Sequence, residues 1–311
     1  MLNIPEEFFE DEVRCDFLVP ELMKRTWAAE MEMLSQLQVF FKEHGITYYA
    51  ECGTLLGAVR HQGFVPWDDD IDICMKREDY MHFLEVADQL PYPLRVMSIY
   101  NNDSFRNFHA IVSNTRKDKL DWDEERIEMY HGCPFIINID IFPFDYIPRD
   151  EEKRKRQKLL YNIAYVLVHR YESECSTLQY KNDIATLEEI GRIKFDKSKP
   201  LLPQISQWAD KIAAMYGEAD ADYIDYYPKM VHDVSPSLHN KQHYSKTVML
   251  PFECIEVAAP VEFEKAANEI YGDYRVFSRG GGSHDYPFYK KQLEYFQLML
   301  ELEEQMENAH D

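Results

Sequence analysis

The 311-residue chain lacks several features whose absence narrows its function. No run approaches the ~18–20 consecutive apolar residues that a membrane-spanning helix needs. The opening residues, MLNIPEEFFEDEV, have neither the basic start nor the apolar stretch of a secretory signal. Together these predict a cytosolic protein. The six cysteines (Cys15, Cys52, Cys74, Cys133, Cys175 and Cys254) are far apart, with no C-x-x-C or Cys/His zinc spacing. Buried free thiols are therefore expected. Positive charge is scarce: 34 Lys and Arg stand against 56 Asp and Glu, a net charge of −22. Such a chain has no general attraction to nucleic acid or anionic lipid. Its one basic run, KRKRQK (153–158), follows Asp150, Glu151 and Glu152 on a predicted helix and reads as a solvated face. There are no internal repeats, low-complexity tracts or flexible linkers.

Apolar and aromatic residues are plentiful, at 45% and 14%, enough for a substantial core. Residues 20–44 carry apolar positions at helical spacing and stop at Gly45. Short strands are predicted at 46–52, within 65–75, in LRVMSIY and FHAIVSN, and at 133–147. A helix over 77–90 ends before Pro91 and Pro93. From Arg149 the pattern turns to long helices, roughly 150–172, 183–194 and 202–216. A hairpin over 247–260, a helix over 261–272, a glycine cluster at 280–282 and a last helix over 288–307 follow. The fold class is α+β: a small mixed sheet early in the chain with flanking helices, a helical insertion, and a C-terminal return.

The most informative stretch is Trp67-Asp68-Asp69-Asp70-Ile71-Asp72-Ile73. Extended, it puts Asp68, Asp70 and Asp72 on one face and Ile71 and Ile73 on the other. Carboxylates so arranged repel one another and raise each other's pKa unless cations sit among them. Oxygen-only ligands favour Mg²⁺ or Mn²⁺. An EF-hand reading fails, because Ile73 stands where that loop needs glycine. Just upstream, Glu51-Cys52-Gly53-Thr54 ends a strand and starts a helix. There Gly53 allows close approach of a phosphate, Thr54 offers a hydroxyl, and free helix N–H groups favour an anion. A phosphate turn beside a metal site is the equipment of phosphoryl transfer. A third acid is expected from a neighbouring strand, either Asp140 in Ile-Asp-Ile-Phe or Asp145 after Pro143. Arg60 is a candidate for a phosphate contact or for an ion pair with Asp68 or Asp70.

The blocks CGTLLGAVRHQGFVPWDDDIDI (52–73), REDYMHF (77–83), IDIFPFDYIP (139–148) and YGDY (271–274), with the region around His284 in support, resemble the LicD family. That family is itself similar to nucleotidyltransferase-fold enzymes and includes the fukutin-type transferases. The resemblance implies a nucleotidyltransferase-like fold, with residues 1–22 as an extension and 23–311 as one catalytic domain. Within that domain the sheet-bearing core is 40–148, the helical region 149–240 and the C-terminal part 241–311. It implies Mg²⁺- or Mn²⁺-dependent transfer of a phospho-substituent, foremost phosphocholine, from a CDP-activated donor to a cell-surface glycan precursor such as lipopolysaccharide or teichoic acid. The alternatives are a nucleotidyltransferase that uses an NTP and a non-catalytic cation- or glycan-binding module. A lipid-linked acceptor would bring the protein to the inner face of the membrane. Asp70 and Asp72 match the family's metal pair, Asp140 its third acid, Asp68 a further aspartate, and Gly53 and Thr54 its phosphate turn. A choline headgroup would call for aromatic faces, with Trp67, Tyr80, Trp122 and Tyr130 as candidates. In one respect the chain departs from its relatives: Ile111 and Ser113 stand where bases are expected, which leaves Arg106, Arg116 or Lys117 to substitute.

Overall fold

The computed structural model describes residues 1–232, 237–277 and 286–308. A short hairpin, β1 (Glu12–Arg14) and β2 (Phe17–Val19), leads into the long helix α1 (Glu21–His44). Gly45 ends α1 in the left-handed region at φ 67°, where the missing Cβ removes the steric penalty. Then come β3 (Tyr49–Ala50), α2 (Cys52–His61), β4 (Ile71–Lys76), α3 (Arg77–Val86), β5 (Arg95–Met97), β6 (Ala110–Ser113), α4 (Glu124–Met129) and β7 (Asn138–Pro148). The helical region is α5 (Glu151–Glu174), α6 (Leu178–Gly191) and α7 (Leu201–Ala213). The chain returns through β8 (Ala221–Tyr226), α8 (Lys229–His232), β9 (His239–Asn240), the hairpin β10 (Thr247–Phe252) and β11 (Ile255–Pro260), α9 (Phe263–Tyr271) and α10 (Lys290–Asn308).

The main sheet is mixed, in the order β3-β4-β7-β6-β5, as an α+β fold requires. β7 is its spine. One edge pairs in parallel with β4, while the other pairs first with β6 and then with β8, both antiparallel. Alternation along these strands sends Ile71, Ile73, Ile139, Ile141 and Val112 into the main core, all at 0% exposure. A second core, built on Tyr161, Val168, Leu187 and Ile205, holds the helical region together. There Gln157 donates to the carbonyls of Ile212 and Ala213, satisfying the end of α7. No described helix is long and apolar enough to cross a membrane.

Three expectations need correction. The acidic strand begins at Ile71, so Asp68, Asp69 and Asp70 lie in the segment leading into it. A turn in which the Asp68 amide donates to the Val65 carbonyl, and the Trp27 indole, which donates to the Asp68 carbonyl, pull this segment off the sheet. The cysteines form no disulfide, but Cys15, Cys175 and Cys254 are exposed rather than buried. β1, β2, β8 and β9 were not anticipated from the sequence. The glycine cluster and His284 lie outside the described residues.

The basic run on α5 is neutralised in part. Asp150 caps the helix by accepting from the Lys153 amide, Lys153 pairs with Asp220, and Lys155 pairs with Glu151.

Candidate active site

The site forms where α2 begins, because three links hold its first turn against β4. The Glu51 amide donates to the Asp72 carbonyl, and the Asp72 amide donates to Thr54 Oγ1 at 2.8 Å. The third link is the tight seat of Asp68 on Gly53, where an added Cβ would fall 1.8 Å from Asp68 Oδ2. Any side chain at 53 would displace that carboxylate. Cys52, with φ 49°, turns the chain through the left-handed region just before Gly53. Gly53 therefore makes room for Asp68, and the buried Thr54 hydroxyl accepts from the neighbouring strand.

Strand register assembles the acids. Asp72 on β4 lies opposite Asp140 on β7, which lies opposite Ile111 on β6. Asp70, Asp72 and Asp140 line one cavity of about 240 Å³ together with Glu30, Ile111, Asn138 and Phe288. Burial, and next the charges of Asp70, Asp140 and Asp68, push the Asp72 carboxyl well above the usual range. Glu30 is raised likewise, by burial first and then by the same run of aspartates. Oxygens of Asp68, Asp69 and Asp70 all lie within 4.8 Å of one another. Asp69 also accepts from the Phe288 amide at 2.6 Å, tying the C-terminal part of the chain to the acidic loop. So many same-sign oxygens fit one or more hard divalent cations.

Two further residues bear on Asp140, and the sequence reading missed both. His109 Nε2 lies 3.2 Å from Asp140 Oδ2, at ion-pair distance but without hydrogen-bond alignment. The other ring nitrogen of His109 meets the Tyr226 hydroxyl at 3.1 Å. Tyr226 also lines an adjoining pocket of about 330 Å³ with Arg106, Phe108, Tyr165, His169 and Lys229. The only sequence-level signal for His109 was its place in FHAIVSN, two positions from Ile111 and so on the same strand face.

Other candidates lie elsewhere. Arg60 donates to the carbonyl of Tyr274 and stacks on Phe277, 4.7 Å from the ring centre. Asp145 receives two hydrogen bonds from Arg77, at 2.8 and 2.7 Å, and so is part of a buried ion pair rather than the third acid of the cavity. The proposed aromatic faces are not on the cavity. Tyr80 and Tyr130 are 1% and 0% exposed within the core, Trp67 packs edge-on to Phe17, and Trp122 stands against Phe296 of α10. Of the three substitute bases, Arg116 donates to the Leu94 and Leu90 carbonyls and Lys117 pairs with Asp121 and Asp123. Arg106 alone of the three borders a pocket next to the acids.

Comparison with known proteins finds relatives over the part of the chain that carries these residues. Residues 45–163 match the family model described as LicD/FKTN/FKRP, nucleotidyltransferase domain. The chain is 23% identical over 249 residues to the lipopolysaccharide cholinephosphotransferase LicD of Haemophilus influenzae, covering 78% of this chain and 88% of that one. An uncharacterized protein of Rickettsia typhi is 38% identical over 107 residues (32% of this chain, 35% of its own). Another, from Rickettsia prowazekii, is 38% identical over 115 residues (36% and 43%).

Proposed function

We propose that the protein is a phosphotransferase of the LicD family that moves a phospho-substituent from a CDP-linked alcohol to a cell-surface glycan precursor, with phosphocholine the foremost substituent. The observation that carries this reading is the convergence of Asp70, Asp72 and Asp140 on one cavity beside the first turn of α2. These three acids would hold Mg²⁺ or Mn²⁺, which when bound neutralises the oxygens of the donor diphosphate. The chain's own groups do the rest. The acceptor hydroxyl attacks the phosphorus that bears the alcohol, its proton passes to the Asp140 carboxylate, and the bond to CMP breaks.

The pocket beyond Tyr226 would suit the nucleoside phosphate half of the donor, with aromatic faces from Tyr165 and Tyr226 and with Arg106 and Lys229, which would have to turn from their partners Glu172 and Asp225. Phe288, set beside the carboxylates, gives a cationic headgroup both an aromatic face and negative charge. The name of the Haemophilus relative, a lipopolysaccharide cholinephosphotransferase, supports phosphocholine over other substituents and lipopolysaccharide as the kind of acceptor.

The test is to incubate the protein with Mg²⁺ and CDP-choline, CDP-ethanolamine, CDP-ribitol or CDP-glycerol, with and without glycan acceptors, and to measure CMP release. CMP release with CDP-choline is expected. Pyrophosphate release from an NTP would replace this reading with a nucleotidyltransferase. Failure to bind any of these nucleotides would leave a non-catalytic module.

A further inference from the structure

Glu30 lies on α1, ahead of the segment that matches the family model. It is 0% exposed, and neither of its carboxylate oxygens has a hydrogen-bond partner. It nevertheless opens onto the cavity that holds Asp70, Asp72 and Asp140. The helix brings it there by simple spacing. Trp27, three residues earlier and on the same face, donates its indole N–H to the Asp68 carbonyl, so this face of α1 looks onto the acidic loop. After burial itself, the charges that act most strongly on Glu30 are aspartates: Asp70, then Asp69, Asp68 and Asp72.

An unpartnered carboxylate in an apolar helix face is an expensive placement. Its neighbours Ala28, Ala29, Met31 and Met33 are all fully buried, so an apolar residue at 30 would suit the packing. Four carboxylates around one small cavity carry more negative charge than a single divalent cation offsets. We propose that Glu30 is a ligand of a divalent cation, shared with Asp70, so that α1 contributes to the metal site from outside the matched domain. The proposal rests on reading the Asp70–Asp72–Asp140 cavity as a cation site.

The test titrates Mn²⁺ alone into the full chain, followed by calorimetry and by the paramagnetic signal of free Mn²⁺. Wild type should bind. Glu30→Gln, which keeps the volume and removes the charge, should bind at least about tenfold more weakly, and Glu30→Asp should recover part of the loss. Glu30→Gln should also melt higher than wild type without metal and gain less from added Mn²⁺, which shows that the weaker binding is not unfolding. Equal Mn²⁺ affinity in wild type and Glu30→Gln overturns the role of Glu30 alone. Absence of Mn²⁺ binding by wild type overturns the cation-site reading as well.

Discussion

Two clusters of charge, one buried and one opening to solvent, lie on opposite faces of one sheet, and they are built on opposite plans. Asp140 and Asp145 are five residues apart on β7, so their side chains leave on different faces. On the Asp145 face, Arg77 donates to both oxygens of Asp145 and to both of Asp210 at 3.0 Å, and the Tyr100 hydroxyl donates to Asp210. One guanidinium is bonded to both acids, and the cluster joins β7, α3 and α7. On the Asp140 face, Glu30, Asp70, Asp72 and Asp140 share a cavity with no lysine or arginine among its described lining residues. The first cluster is complete in itself and holds the helical region to the sheet. On the function proposed above the second would take cations from solution, which would make it the working face.

Removing the base tests the paired side. Arg77→Met leaves Asp145 and Asp210 buried without compensation, and urea unfolding should show a loss of about 3–5 kcal/mol. A stable Arg77→Met protein would show that the two clusters do not differ as described. Removing an acid from the other face should do the reverse. Asp72→Asn should lower CMP release about 10³-fold, on the order of 4 kcal/mol in activation free energy. In metal-free buffer it should leave stability unchanged or raise it by about 1 kcal/mol, because it relieves repulsion. A loss of metal-free stability would place the cavity in the same structural class as the Arg77 cluster.

The same contrast recurs within α1. Glu32, two residues after the unpartnered Glu30, meets His131 at 3.0 Å and accepts from the Leu2 amide at 2.6 Å. Burial alone would push its carboxyl up, but these partners, with Gln36, bring it from 4.5 down to about 2. A depressed acid stabilises fully above its unfolded pKa and loses that contribution as pH falls through the folded one. Up to about 3 kcal/mol should therefore disappear between pH 4.5 and 2. Urea unfolding across that range should show the gap between wild type and Glu32→Gln closing as pH falls. A constant gap would mean that the Glu32 contacts do not hold the N-terminus.

Much of this was legible in the chain because it depended on local pattern. The α1 periodicity with its Gly45 stop, the 247–260 hairpin, and the Ile-Asp-Ile runs that set Asp72 and Asp140 on strands needed only period and punctuation. What could not be read depended on distant partners. Asp68 continues the alternation of Asp70 and Asp72, yet the Trp27 indole and the Val65 carbonyl hold it off the sheet. Glu30 and Glu32 stand in one AAEMEMLS pattern, and only the approach of the acidic loop to one and of His131 to the other separates them. Tyr80 and Tyr130 carry the chemistry of a headgroup site, but burial assigns them to the core. β8 could not be foreseen as the continuation of the β6 edge, because that place exists only once β7 runs past the end of β6.

The smallest expected effect probes whether the acidic face also depends on orientation. Asp140 is the one cavity acid with a described base at ion-pair distance, His109, and His109 is in turn held by the Tyr226 hydroxyl. Outer partners of this kind fix the direction of a ligand carboxylate, and their loss typically weakens metal affinity or activity 10–100-fold. His109→Asn should therefore reduce turnover by about that factor and weaken Mn²⁺ binding in the absence of donor, while the melting temperature changes little. Tyr226→Phe removes one hydroxyl and keeps the ring beside Phe142, so its effect should be smaller, about tenfold or less. If His109→Asn binds Mn²⁺ as wild type does, Asp140 is oriented by its strand alone, and the acidic face has no supporting shell to set against the fully bonded Arg77 cluster.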